Sequence, residues 1–238
     1  MSKQYSFEDL IKIVETLRGE NGCPWDRKQT HDSLRPCMME EAAELISSIR
    51  IYDRTGNAEN MREELGDILL QVVMHAQIAK EEGLFTLEDV IDGIGAKMVR
   101  RHPHVFGGER TEGEDGNQPD WEEIKRREKE GKDWILSPLR EIPPELPALT
   151  RAAKVMKRAD RLYGTGRTYD GTVRNLEKAV ERLKGAKPSE QDCQLGEIMG
   201  QILMDLSYIA GRFGVSQEQL LTDRTEDLIE ACEPMEKP

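Results

Sequence analysis

Two short groups of acidic residues, both within strongly helical sequence, are the residues of this chain best suited to chemistry. The first group is Glu40, Glu41 and Glu44, and the second, one spacer later, is Glu64 and Asp67. Spacings of three and four residues place acids on one helix face, where each like-charge pair destabilises the helix by roughly 0.2–0.5 kcal/mol. Apolar residues flank both groups, whereas an ordinary exposed helix would intersperse lysines. The pattern indicates carboxylates that hold a cation.

The spacing between the two groups suits a helical hairpin that turns at Gly56. Glu44 lies twelve residues before Gly56 and Asp67 eleven after it, so we expect these two to be nearly level. Glu41 and Glu64 then fall about one turn away, at a rise of about 1.5 Å per residue. Hard divalent cations prefer oxygen ligands, and Mg²⁺ keeps coordination positions open for water and phosphate. The sequence therefore predicts a Mg²⁺ site, and zinc is disfavoured because no Cys or His pair joins the acids.

A solvated helix face and a di-iron centre are the alternatives to a Mg²⁺ site. Charge runs are most often solvated helix faces, but two runs at hairpin-compatible positions beside apolar residues make this the weaker interpretation. A di-iron helical bundle also gathers glutamates from facing helices, but it requires two Glu-x-x-His pairs. His75 follows Gln71-Val-Val-Met and has no glutamate three residues before it, so the di-iron ligand set is incomplete.

A basic group ends the fourth predicted helix. Lys97, Arg100 and Arg101 lie there, and cations at a helix C-terminus also offset the helix dipole without any ligand. Beside a Mg²⁺ site they would hold phosphate oxygens that the metal does not reach. Trp121 and Lys125 lie on a short charged helix, where the tryptophan either stacks on a base or anchors the helix to the core.

Helical periodicity dominates the chain, and no convincing alternating strand is present. We expect helices from Ser6 to about Asn21, from about Pro36 to Tyr52, from Glu59 to Glu82 and from Thr86 to His102. Helical runs near 148–163, 171–184, 196–212 and 216–232 follow in the same order. The fold class predicted is all-α, with two tandem helical-bundle modules.

The second module has lost the acids. The segment Glu64-Leu-Gly-Asp67 aligns with Ile198-Met-Gly-Gln201, and Glu40-Glu41-Ala-Ala-Glu44 aligns with Val180-Glu181-Arg-Leu-Lys184. We therefore expect a catalytic domain over 1–130, a proline-rich linker over 131–147 and a degenerate, structural domain over 148–238.

Composition limits the classes of partner. The chain has 238 residues, 34% of them charged, and a formal net charge of −12, which disfavours binding to a nucleic acid polymer. The four cysteines show no CxxC spacing, and the N-terminus shows no secretion signal. No apolar run approaches the ~18 residues that span a bilayer. We expect a cytoplasmic protein that does not enter membranes.

The sequence resembles the MazG family of nucleoside triphosphate pyrophosphohydrolases, within the all-α NTP pyrophosphatase group. The resemblance rests on the pattern Glu-Glu-x-x-Glu, a spacer and Glu-x-x-Asp. It also rests on Gly22-Cys-Pro-Trp-Asp26, on Arg100-Arg-His-Pro-His-Val-Phe106 and on Glu145-Leu-Pro-Ala-Leu149. The resemblance covers nearly the whole chain, because Glu145–Leu149 and the helix of Lys154 look like the start of the family's second domain.

The resemblance implies a Mg²⁺-dependent hydrolase that converts a (d)NTP to the monophosphate and pyrophosphate in nucleotide-pool housecleaning. By that likeness Glu41, Glu44, Glu64 and Asp67 bind Mg²⁺, and Glu40 polarises the attacking water or binds a further ion, as Glu63 also could. The implied nucleotide contacts are Lys97, Arg100, Arg101, Trp121 and Lys125. We expect a homodimer. The alternative is a catalytically silent Mg²⁺-dependent nucleotide sensor or helical scaffold, because the second half keeps the fold without the acids.

Overall fold

The computed structural model describes residues 4–106, 128, 137–185 and 193–233. These residues form α-helices and turns without any strand, which confirms the all-α prediction. The chain divides into two compact units, Met1–Ile124 and Lys125–Pro238. Within the described ranges, no helix is both long enough and apolar enough to cross a membrane.

Over residues 4–106, the first unit contains four long helices and two single-turn helices. Their bounds are α1 Phe7–Arg18, α2 Pro24–Arg27, α3 Arg35–Thr55, α4 Glu59–Glu81, α5 Leu87–Arg101 and α6 Pro103–Phe106. The long helices lie where helical periodicity predicts them, and α2 and α6 are additions that periodicity alone does not reveal. Helix α4 is central, because it packs against α1, α3 and α5.

The starts of α1 and α5 follow from the chemistry of their caps. The Ser6 hydroxyl accepts a hydrogen bond from the backbone N–H of Asp9, and the Asp9 carboxylate accepts one from the backbone N–H of Ser6. Thr86 and Asp89 form the same reciprocal pair at the start of α5. Each capping box satisfies two N–H groups that a helix start leaves without partners. The helix starts expected at Ser6 and Thr86 are thus confirmed.

The α3–α4 connection turns sharply at Gly56. This glycine ends α3 with a φ of +71°, in the left-handed region that side chains with a Cβ rarely adopt. Its backbone N–H donates to the carbonyl of Tyr52, which closes the last turn of α3. The chain therefore reverses within three residues, and α3 and α4 pack side by side.

The apolar core of the first unit lies around the C-terminal half of α4. Its buried residues are Val14, Leu34, Val73, Met74, Ala76, Ile78 and Leu87. The N-terminal half of α4, which carries the acids, has no buried residue before Gln71. The buried C-terminal half of α4 thus fixes the position of the helix, and the more exposed N-terminal half carries the carboxylates.

Arg18 joins three parts of the first unit. Its guanidinium pairs with Glu81 at the end of α4 at 2.7 Å and donates to the backbone carbonyls of Asp26 and Gln29. The Arg18 side chain is only 5% exposed, and its pairing lowers the pKa of the Glu81 carboxyl. This ion pair fixes the chain that leads from α1 into α3.

Two stacked histidines lie between the α2–α3 connection and α4. The Nδ1 atoms of His31 and His75 are 2.8 Å apart, and the ring planes are parallel within 1°. A hydrogen bond between two ring nitrogens requires one of them to be an unprotonated acceptor. Burial, together with the neighbouring His31, lowers the pKa of His75. Glu82 faces the other edge of His31, with Oε2 3.9 Å from Nε2.

We expect the first unit to lose stability as the pH falls below about 6.5, the ordinary pKa of histidine. A lowered pKa means that the unfolded chain binds the His75 proton before the folded chain does, so acid favours unfolding until the folded pKa is passed. Thermal unfolding between pH 8 and pH 5 measures this loss. His75→Gln should reduce the slope in that window, and an identical slope in the variant would contradict the assignment.

The second unit contains α7 Ala148–Tyr163, α8 Tyr169–Gly185, α9 Cys193–Arg212 and α10 Gln217–Cys232. Helix α9 packs against α7 and α8, and α10 contacts α7. In the first unit, likewise, the third long helix packs against the first and the second. The duplication of one module stays a prediction, as do the domain boundaries drawn from the sequence.

Residues 137–147, within the predicted proline-rich linker, belong to the second unit and pack against α7. Ile142 is buried, and Arg158 of α7 donates to the carbonyl of Pro138 at 2.7 Å and pairs with Glu141 at 2.9 Å. This part of the segment is therefore held in place against α7.

Candidate metal centre

Three carboxylates from the α3–α4 hairpin converge in the first unit. One oxygen from each of Glu41, Glu64 and Asp67 lies within 4.8 Å of the others, and all three residues are half-buried. Glu41 comes from α3, whereas Glu64 and Asp67 lie three residues apart on one face of α4. We call these three residues the acidic cluster. It joins the two sequence motifs, which lie on different helices.

The electrostatics of the cluster are unfavourable without a counter-charge. Partial burial and the carboxylates of Asp67, Glu44 and Glu64 raise the pKa of Glu41 above its usual value. Each of these causes disfavours a second or third negative charge in the same small volume. A divalent cation would remove the repulsion, because it replaces like-charge contacts with ion–oxygen attraction.

Asn60 supports the cluster and was not predicted from the sequence. Its side-chain amide donates a 2.6 Å hydrogen bond to one oxygen of Glu64, one helical turn further along α4. The bond orients the Glu64 carboxylate and leaves its second oxygen available. The spacing of four residues between Asn60 and Glu64 was the available signal, since such pairs meet on a helix face.

The remaining predicted acids lie at the edge of this group. Glu44 hydrogen-bonds to Glu41 and adds to the charge that raises its pKa, although its oxygens lie outside the compact set. Glu40 is exposed at the solvent side of α3, and Glu63 is exposed on α4. The compact set brings Glu41 of α3 together with Asp67, and the level placement of Glu44 beside Asp67 stays a prediction.

The predicted cations occupy the last two turns of α5. Lys97 and Arg101 are half-buried, and Arg100 is exposed. The side chain of Lys97 makes no hydrogen bond or ion pair with any residue of the described ranges, so its ammonium group is available to a ligand. Trp121 and Lys125, and the charged helix predicted to carry them, lie outside the described residues apart from Glu128.

The donor set fits a hard divalent cation. All three cluster ligands are carboxylate oxygens, and no histidine or thiol of the described residues joins them. Oxygen-only ligand sets suit Mg²⁺, Mn²⁺ or Ca²⁺, and a site with few protein ligands leaves positions for phosphate oxygens and water. The arrangement can therefore hold a metal together with a polyphosphate.

The second unit has no such cluster among its described residues. At the positions aligned with the acids, Ile198 is buried, and Lys184 pairs with Glu181 at 2.6 Å. An apolar residue and an internal ion pair thus occupy places that are acidic in the first unit.

Comparisons with known proteins place these features in a family. The family model of the MazG nucleotide pyrophosphohydrolase domain matches residues 29–106, which contain both acidic motifs. The chain is 41% identical over 231 residues to the nucleoside triphosphate pyrophosphohydrolase/pyrophosphatase MazG of Thermotoga maritima, covering 97% of this chain and 86% of that one.

Two further relatives carry the same enzyme name. The nucleoside triphosphate pyrophosphohydrolase of Escherichia coli K12 is 35% identical over 220 residues, covering 91% of this chain and 82% of its own. That of Mycolicibacterium smegmatis is 39% identical over 155 residues, covering 64% of this chain and 45% of its own. The resemblance inferred from the motifs is confirmed.

Proposed function

The chain belongs to the MazG family of nucleotide pyrophosphohydrolases, and on this basis we propose that it hydrolyses nucleoside triphosphates to the monophosphate and pyrophosphate. The observation that carries the proposal is the acidic cluster of Glu41, Glu64 and Asp67, which lies inside the matched region 29–106. This activity would serve in nucleotide-pool housecleaning, with (d)NTPs as substrates. The first unit would be the catalytic one, because the described part of the second unit has no comparable ligand set.

Mg²⁺ is the cation we propose for the cluster, with Glu41, Glu64 and Asp67 as ligands and Glu44 beside them. Bound Mg²⁺ neutralises triphosphate charge and makes a coordinated water more acidic. The raised pKa of Glu41 supports this assignment, because binding of a cation would relieve the repulsion that contributes to it.

We assign the remaining steps to the other residues that the sequence predicts for the site. Glu40 would take a proton from the attacking water, whose oxygen forms a new bond to a phosphorus at the α–β bridge while the bridging P–O bond breaks. Lys97, Arg100 and Arg101 would stabilise charge on the departing pyrophosphate, and Trp121 and Lys125 would contact the rest of the nucleotide. The exposure of Glu40 and the availability of Lys97 support these roles.

A panel of (d)NTPs incubated with the full chain and Mg²⁺ tests the proposal. We expect equal amounts of monophosphate and pyrophosphate, with both products lost in EDTA and in Glu41→Gln. Release of orthophosphate, or product that persists in EDTA, would overturn the assignment. Nucleotide binding without any product would instead favour the silent sensor or scaffold.

We also propose that the chain forms a homodimer in the cytoplasm. Apolar side chains are exposed on α3, α4 and α5, among them Ile46, Leu65, Leu69, Ile91 and Ile94. Two helices packed as a hairpin leave such faces open, and a second copy would cover them. Cys23, Cys37 and Cys232 are free thiols, which supports a reducing compartment. Sedimentation at micromolar concentration should give the dimer mass, and a monomer would contradict the proposal.

A further inference from the structure

A basic cleft in the second unit is a feature that the proposed function leaves unused. It lies between α7, the α7–α8 connection and α9, and its volume is about 620 Å³, within the range of small-molecule sites. Four cationic side chains line it: Lys157, Arg161, Arg167 and Arg212. Asp160 is the one acidic lining residue, so the lining carries a net charge of +3 (four cations less one carboxylate) in a chain of net charge −12.

Arg167 is held in place by a buried framework. Its guanidinium donates a 2.8 Å hydrogen bond to Asp205, whose side chain is fully buried, and lies 5.4 Å from the centre of the Tyr208 ring. The Tyr208 hydroxyl donates to the backbone carbonyl of Arg167 at 2.8 Å. A guanidinium has five N–H donors, and only one is used in this bond. The framework therefore presents the remaining donors in a fixed orientation.

Lys157 and Arg212 are not held by a buried framework of the kind that holds Arg167. Neither side chain forms an ion pair or hydrogen bond within the described ranges. Lys157 and Arg161 lie four residues apart on α7, where two like charges destabilise a helix. Arg212 offsets the dipole at the end of α9, but that accounts for one cation of the four. The single acid, Asp160, accepts a hydrogen bond from Thr165.

The cleft also has an apolar part beside its charges. Ala153, Met156 and Tyr208 line it, and Met156 and Tyr208 are buried. A small inorganic anion would use only the cations, whereas a ligand with an organic part would use both surfaces. Several cations in one cleft suit a polyphosphate, because charge-assisted hydrogen bonds to phosphate are strong and additional charges strengthen them.

We propose that this basic cleft is a second nucleotide site, which binds a nucleoside polyphosphate without a metal and without hydrolysing it. The phosphates lie against Lys157, Arg167 and Arg212, and the nucleoside lies against Met156 and Ala153. The proposal is independent of turnover in the first unit, because it requires only binding by the second.

Calorimetric titration of the full chain with ATP in EDTA tests this site. We expect saturable binding that weakens with salt, and at least tenfold lower affinity in Lys157→Gln/Arg212→Gln, which keeps most of the side-chain length. Lys154→Gln, an exposed lysine one turn away on α7 that does not line the cleft, should bind like the wild type. Glu41→Gln should also retain the affinity, because it alters only the first unit.

Three outcomes would overturn the proposal. They are absence of ATP binding in EDTA, unchanged affinity in the double variant with normal thermal unfolding, and an equal loss in Lys154→Gln. Inorganic tripolyphosphate, which lacks a nucleoside, separates binding of the phosphates from recognition of the nucleoside. We expect it to bind more weakly than ATP, and equal affinity would overturn recognition of the nucleoside.

Discussion

Glu64→Gln should lower kcat for release of pyrophosphate by on the order of 10²–10³-fold, the usual effect of removing one preorganised electrostatic group from a transition state. The substitution removes the charge of one cluster ligand while changing little of its shape. It also keeps an oxygen acceptor for the 2.6 Å hydrogen bond from Asn60, so the local structure of α4 should persist. Steady-state kinetics at saturating Mg²⁺, with far-UV circular dichroism, measures both effects.

Glu59→Gln is the matched control for this experiment. Glu59 is an exposed acid in the first turn of the same helix and lies outside the cluster, so its amide variant should keep wild-type kcat. Undiminished turnover in Glu64→Gln would refute the site assignment. Equal losses in both variants would mean that the helix, and not the ligand, is responsible.

Arg167→Met should destabilise the second unit by about 3–5 kcal/mol, the usual cost of removing one partner of a buried ion pair. Among the described residues, Asp205 would be left fully buried without a charged partner, and its Oδ2 already has no hydrogen-bond partner there. Methionine keeps most of the side-chain volume, so the loss reports charge and not a cavity. Denaturant unfolding with hydrogen exchange of the α8 and α9 amides measures the change and locates it.

A second substitution separates charge from packing. Asp205→Asn in the Arg167→Met background should recover most of the lost stability, because it removes the uncompensated buried charge. Failure to recover would show that packing of the arginine stem is the main contribution. A small loss in the single variant, below about 1 kcal/mol, would contradict the pairing.

The helices and their caps could be predicted because they depend on local sequence. Ser6 with Asp9 and Thr86 with Asp89 satisfy backbone groups within one turn, so no distant part of the chain is needed. The turn at Gly56, which ends α3, likewise depends only on neighbouring residues. Single-turn helices such as α2 are too short for periodicity to reveal.

The site could be predicted only in part, because it depends on how two helices face each other. Counting residues from Gly56 placed Glu44 beside Asp67, whereas Glu41 is the α3 member of the compact group. A glutamate side chain reaches several times the rise of about 1.5 Å per residue, so counting cannot decide between two acids one turn apart.

Pairs that are distant in the chain gave no sequence signal. Arg18 and Glu81 are 63 residues apart, and Arg167 and Asp205 are 38 apart, yet each pair fixes a connection between helices. Arginine and acidic residues are frequent in this chain, so nothing local distinguishes the pair that meets. Tertiary packing alone selects the partners.

Within helix α4, the stability of the fold and the activity of the site make opposite demands on the sequence. Its C-terminal half supplies much of the core, and its N-terminal half carries Glu64 and Asp67, whose repulsion opposes the same fold in the absence of a cation. Selection for heat resistance in a chelating medium would therefore favour neutral residues at these two positions, at the expense of turnover. Selection in the presence of metal and substrate would keep them, so the ionic environment decides which sequence of α4 is the fitter one.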